Sequence, residues 1–162
     1  MTTTIGALHI RGVALIVSNP HREILIVKEL QTKPHYGKYA GMFSPPMETS
    51  HDGERDSSAL GRLVAEELPG LTGHIEIDGE RRGVYRIVPR VWVSLYIGQT
   101  QDFLLPIPDK KSGEIGEHLW VPPQNVLMLW LRQGAREMIL DYIEDRSGVV
   151  CRYCYPATSP EV

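Results

Sequence analysis

A carboxylate interrupts the apolar stripe of the helix that this sequence specifies most clearly, and that constrains the chain more than any other feature. Residues Asp56–Leu68 read as a helix. Ala59, Leu60, Leu63, Val64 and Leu68 recur at helical spacing, Asp56 or Ser57 can cap the start, and Pro69-Gly70 stops the run. With Leu63 at zero on a wheel advancing about 100° per residue, Leu60 falls at about 60°, Val64 at about 100° and Leu68 at about 140°. Glu67 falls at about 40°, inside the stripe, and Glu66 lies at its edge. Burying an unpaired charge is costly, so such a group is paired, protonated or bound to a metal. Glu67 needs a partner.

The flanking segments are strand-like. Ile10–Val17 and Glu23–Leu30 are apolar, β-branched runs separated by the turn formers Ser18-Asn-Pro-His-Arg22, which predicts a β-hairpin. Gln31–Gly41 is a polar loop carrying His35, Tyr36, Lys38 and Tyr39, and the prolines of Phe43-Ser-Pro-Pro-Met47 forbid a helix interior there. After the helix, His74–Asp78 and one long run, Gly83–Ile97, predict further strands. Gln99–Gly116 is a polar loop, Glu117–Val121 a short strand, and the chain turns helical from Pro123, with Ala135–Asp145 amphipathic. This order favours a mixed sheet with helices on its faces, in one domain over residues 1–150 with a tail at 151–162.

A length of 162 residues suits a single core. The net charge of −3 gives no electrostatic reason to expect a nucleic acid as partner. A small phosphorylated ligand needs only a few local cations or a metal. No apolar run approaches the roughly 18 residues that cross a bilayer, which argues against a membrane partner. The first residues lack signal-peptide features, so a cytoplasmic location is expected. Cys151 and Cys154 form a Cys-x-x-Cys; two thiols alone cannot close a four-ligand zinc site. Reduced thiols are the expectation, with a shared metal site or a redox pair as the alternatives.

Around the helix the spacing becomes specific. Gly53-Glu54 is followed, after seven residues from Glu54, by Arg62-Leu63-Val64-Ala65-Glu66-Glu67, and Phe43-Ser44-Pro45-Pro46 precedes it. In these residues the sequence resembles the Nudix family, whose signature is Gly, five residues, Glu, seven residues, Arg-Glu, an aliphatic, any residue, Glu-Glu, any residue, Gly, aliphatic. Val13–Val27 and Glu117-His-Leu-Trp120-Val121 before Pro123 resemble the flanking strands of that family. The resemblance implies an α+β fold, an α/β/α sandwich with a mixed sheet between helices. It also implies a hydrolase that cleaves a diphosphate linkage in a nucleoside diphosphate derivative with Mg²⁺ or Mn²⁺. The departures are Leu63 for the glutamate of the Arg-Glu pair, Met47 and Glu48 for two glycines, His51 for a frequent glutamate, and a terminal glycine displaced to Gly70.

Several roles follow from that resemblance. With Leu63 in place, Glu66 and Glu67 are the surviving helical carboxylates: Glu67 is the expected main metal ligand, and Glu66 a second ligand or water-orienting group. Glu48 either returns a carboxylate to the site from the loop side or points to solvent. Glu54 and Arg62 are expected to hold loop to helix. Glu114 and Glu117, just before Trp120, are candidates for the general base. His35 and Lys38 are candidate substrate contacts. Arg81-Arg82 reads as a solvated turn, and Trp92 and Trp120 as core residues. A Nudix-like nucleotide-binding or regulatory module without turnover is the other reading, favoured by Leu63 and opposed by Glu66-Glu67. The sequence leaves both a monomer and a homodimer open.

Overall fold

The computed structural model describes residues 9–101, 103 and 115–155. In chain order these form β1 (Ile10–Ser18), β2 (Ile24–Glu29), a 3-10 turn at Pro34–Tyr36, β3 (Phe43–Ser44), β4 (Met47–Thr49) and α1 (Asp56–Glu67). β5 (Ile75–Ile77), β6 (Gly83–Val88), β7 (Val91–Thr100), β8 (Ile115–Val121), α2 (Pro123–Val126), α3 (Ala135–Ile143) and β9 (Val149–Cys151) follow. The strands make one mixed sheet, ordered β3-β2-β1-β7-β6-β9 along its main path, with β4 on β1, β5 on β7 and β8 on β2.

β1 organises the core. It runs parallel to β7 from Ile10↔Val91 to Ser18↔Gln99, and parallel pairs are found where both sheet faces are covered. Val13–Val17 are accordingly all buried, and strand alternation sends them to opposite sides. Val13, Leu15 and Val17 pack with Ala59, Leu60, Leu63 and Val64 of α1, whereas Ala14 and Ile16 join the cluster holding Met138 and Ile139 of α3. The α/β/α sandwich is thus built from one continuous apolar run.

Two strand expectations are corrected. The β1–β2 hairpin is joined in register only at Ser18↔Ile24. Beyond that point β4 takes the edge of β1, from Gly12↔Thr49 to Ala14↔Met47, and β2 pairs with β3 and β8 instead. Pro45 and Pro46 carry the chain between the two edges. Gly12 permits the crossing, because a Cβ there would lie 2.8 Å from the Glu48 carbonyl oxygen. The run Gly83–Ile97 is a hairpin rather than one strand, with β6 and β7 antiparallel through Val88↔Val91 around Pro89-Arg90. Its β-branched and aromatic residues on both sides hide the turn, although Pro89 has no N–H for a ladder.

Details at the helix and the C-terminus also differ. Arg55, not Asp56 or Ser57, precedes the first turn of α1, without a side-chain cap, and the Asp56 carboxylate accepts a 2.6 Å hydrogen bond from the Tyr96 hydroxyl. β9 pairs parallel with β6, and Cys154 is 1% exposed, so residues 149–154 pack onto the body. Trp92 is half-buried beside the Arg86 guanidinium rather than in the core, while Trp120 packs against the α1 cluster. Arg82 ion-pairs with Asp145.

Candidate active site

α1 holds two different groups of charges near one end of the split between β1 and β2. The first is a latch. The Arg62 guanidinium donates to Glu54 Oε1 at 2.7 Å and to the Thr49 carbonyl at 2.8 Å, and lies 3.2 Å from Glu48 Oε1. Glu54 also accepts from the His51 N–H at 2.8 Å and from the Ser58 hydroxyl at 3.1 Å. These bonds, the His51 N–H first and the Arg62 guanidinium next, lower the Glu54 pKa to about 2. Arg62, helped most by Glu54, is pushed up. The loop 49–54 is therefore tied to the second turn of the helix.

The second group faces a cavity of about 140 Å³ lined by Glu48, Glu67, Lys33, Lys38, Arg11 and Arg132, with Met47, Val91 and Val93 as its apolar wall. Glu67 Oε2 is shielded from solvent and has no hydrogen-bond partner among the described residues. Burial pushes the Glu67 carboxyl well above its ordinary range, and the neighbouring Glu48 and Glu29 add to this while Lys38 and Arg132 oppose it. The Glu67 backbone is held as well: His118 Nε2–H on β8 donates to its carbonyl at 2.8 Å. Burial also lowers the pKa of the His118 imidazole, which that bond partly offsets.

Glu48 bridges the two groups. Burial raises its pKa first, Arg62 works against this, and the Glu66 carboxylate, within hydrogen-bonding reach, raises it again. Glu48 is one of the cavity-lining residues, and Arg62 engages one of its carboxylate oxygens. Glu66 itself is exposed at the rim. Leu63 is 0% exposed within the α1 cluster, so this position turns toward the core.

Lys38 and His35 separate. Lys38 is buried with Nζ 3.1 Å from Glu29 Oε2 and lines the cavity. His35 is exposed, its ring tilted against that of Tyr36 with centroids 4.3 Å apart, and is not among the cavity-lining residues. Glu117 is exposed on β8 in register with Lys28, again away from the cavity lining, because alternation turns it opposite to His118. Glu114 lies outside the described residues.

Besides Arg11 and Lys33, two more lining or near-lining residues carry charge that the sequence did not flag. Glu29, at the end of β2, is 4% exposed, and Arg132 reaches it at 3.7 Å while donating to the Tyr36 carbonyl at 3.0 Å. Arg132 arrives there because its N–H donates to the Phe43 carbonyl and Phe43 N–H donates to the Trp130 carbonyl, which lays residues 130–132 along β3. A Glu ending an apolar strand and an Arg in a late loop give no local signal of meeting.

Oxygen donors of this kind suit a hard divalent cation, which is bound through one or two carboxylates together with ligand phosphates and water. The unpartnered Glu67 Oε2 fits that requirement, with Glu48 and Glu66 nearby. Among the described residues no three His, Cys, Asp or Glu side chains are arranged as a metal cage.

The architecture is the Nudix fold. Solved structures place it there: the MutT protein from Methanosarcina mazei Go1 superposes with a TM-score of 0.65 at 17% identity, covering 85% of this chain and 94% of the other. The Nudix domain of Shewanella oneidensis NrtR complexed with ADP-ribose gives 0.63 at 16% identity, covering 85% and 88%. A C. elegans Ap4A hydrolase binary complex gives 0.64 at 12% identity, covering 84% and 96%. No sequence-family profile matches the chain, and no curated protein does.

Proposed function

We propose that the chain is a Nudix-type hydrolase cleaving a diphosphate linkage in a nucleoside diphosphate derivative. One observation carries this reading: Glu67, whose Oε2 is shielded from solvent with no hydrogen-bond partner among the described residues, lines a cavity together with Glu48, Lys38 and Arg132. At about 140 Å³ the cavity is smaller than the roughly 300 Å³ and upward that bury a whole small-molecule ligand. It suits a phosphate-sized part, with the rest of the substrate lying outside. Lys38 and Arg132 would neutralise phosphate oxygens from one side, and Glu67, with Glu66 or Glu48, would hold Mg²⁺ or Mn²⁺ on the other. When bound there, such an ion supplies Lewis-acid neutralisation of the phosphates and acidifies a water. The Arg62–Glu54 latch positions Glu48 and the loop that follows it.

The neighbours named for ADP-ribose and Ap4A suggest nucleotide-like substrates, an inference by analogy of fold. A second reading, a nucleotide-binding module without turnover, has its own observation: Leu63 is sealed in the core and Glu48 already faces Arg62. No helix among the described residues is long and apolar enough to cross a membrane. The deciding experiment measures Mg²⁺-dependent phosphate or nucleotide release from ADP-ribose, Ap4A and nucleoside triphosphates, with Glu67→Gln beside the wild type. Release that disappears in the variant supports the hydrolase. Thermal stabilisation by one of these compounds with no release assigns the binding module.

A further inference from the structure

We propose that Cys151 and Cys154 form a reversible dithiol–disulfide pair, a modification site separate from the carboxylate cavity, with a low-molecular-weight disulfide such as oxidised glutathione as oxidant. The proposal stands whatever the cavity binds. Its basis is placement: the two sulfurs are 3.4 Å apart, one thiol half-buried and the other buried.

The fold builds this approach deliberately. β9 brings Cys151 beside Tyr85 of β6, and the chain then folds back under the start of α3. Gln133 Nε2 donates to the Cys154 carbonyl at 3.2 Å, and the Tyr155 N–H donates to Glu137 Oε2 at 2.7 Å, fixing the return. The Cys154 sulfur lies 3.6 Å from where a Cβ on Gly134 would sit, and Cys154 belongs to the apolar cluster with Tyr85 and Ile87. Packing explains a buried thiol at that point, since free cysteine behaves as a small hydrophobe. It does not explain a second, accessible sulfur in contact with the first. Closing from 3.4 Å to a bond of about 2.0 Å needs a shift of about 1.4 Å.

The exposure difference sets the order of events. The accessible Cys151 thiolate attacks one sulfur of oxidised glutathione, forming a mixed disulfide and releasing one glutathione thiolate, which takes up a proton. Cys154 then loses its proton and attacks the Cys151 sulfur, breaking the mixed disulfide and releasing the second glutathione. Two S–H bonds are replaced by one protein S–S bond, and the two electrons reduce the glutathione disulfide to two thiols. Burial, reinforced by the hydrogen bond with Cys151, pushes the Cys154 thiol up, which suits it to the second attack rather than the first.

The test equilibrates the full chain in glutathione buffers stepped from fully reduced to fully oxidised, followed by acid quench, alkylation and intact mass. The expected product is monomeric chain with neither thiol alkylated and no glutathionyl group attached, fully reversed by dithiothreitol. Cys154→Ser should stop at one glutathionyl group per chain, and Cys151→Ser should react at least tenfold more slowly than wild type. The wild-type measurement decides even if a variant folds poorly. Two alkylatable thiols at the oxidised end, a stable glutathione adduct on the wild type, or a disulfide-linked dimer overturns the proposal. So does protection of both thiols by one equivalent of Zn²⁺ without any disulfide on oxidation, which would make the pair a metal site.

Discussion

The two charge groups at α1 use the same residue types to opposite ends. In the latch, Glu54 accepts from His51, Ser58 and Arg62. Around the cavity, Glu29, Lys38 and Arg132 are buried, and Glu67 Oε2, shielded from solvent, accepts nothing from the described residues. Partnered carboxylates near the surface fix a loop at small energetic cost. A buried carboxylate with an unused oxygen is instead a standing invitation to a cation or a proton. Satisfaction of hydrogen bonds, more than the count of glutamates, separates the latch from the cavity group.

The comparison breaks most visibly at Glu67. On the hydrolase reading, Glu67→Gln keeps the shape of the side chain and removes its charge, so turnover should fall by about 100-fold or more, as loss of several kcal/mol of transition-state stabilisation implies. Steady-state release of product from the best substrate checks this. Turnover within a few-fold of wild type would move the reactive carboxylate elsewhere. Stability of the metal-free protein should not fall and should rise toward neutral pH, because the substitution removes a carboxyl group whose ionisation is disfavoured by burial.

Leu63 comes next and tests the boundary between site and core. It is fully buried against Val13, Leu15 and Leu60, so Leu63→Ala should cost about 3 kcal/mol in urea denaturation. A loss below about 1 kcal/mol would mean that the position is not packed as core.

The helical phase that placed Glu67 inward and Leu63 in the stripe was readable because a 3.6-residue period is local. The strands were readable for the same reason, as runs of Val, Ile and Leu. What escaped was assembly. Nothing near Ser18–Arg22 reveals that β1 and β2 part company after one residue pair, since that depends on β4 arriving through Pro45-Pro46. Arg132 and Glu29 are a hundred residues apart in sequence, and their meeting depends on residues 130–132 lying along β3. For Glu48 the sequence left a carboxylate turned to the site and one turned to solvent equally open, because its place on β4 beside β1 is set by the sheet. His118 could not be anticipated, because an alternating strand offers His118 and Glu117 equally until the sheet decides which side faces α1.

Arg132 sharpens the comparison from the other side. Arg132→Ala leaves Glu29 buried with Lys38 as its remaining ion-pair partner at 3.1 Å. Because one cation remains, the expected loss is about 2 kcal/mol, below the full cost of breaking a buried pair. On the hydrolase reading, nucleotide affinity should weaken in the same variant. Denaturation and ligand-induced thermal shift measured together separate the two effects: loss of stability alone would restrict Arg132 to a structural role.

The smallest effect, and the one that sets the two groups most directly against each other, is in their pH dependence. Glu54 has a folded pKa of about 2, below its ordinary 4.5. The unfolded chain therefore binds the proton first on acidification. The latch contributes its stability in full above 4.5 and loses it as pH falls through about 2. Glu67 is shifted upward from 4.5, so in metal-free protein the folded state keeps the proton longer, and its contribution worsens as pH rises from 4.5 toward the folded value. Chemical denaturation in EDTA between about pH 2 and pH 7 reads both limbs. Glu54→Gln should weaken the dependence on the acid side only, and Glu67→Gln should relieve the decline on the other side only. Identical profiles for the two variants would mean that the latch and the cavity are one electrostatic unit, and the distinction between them would fall.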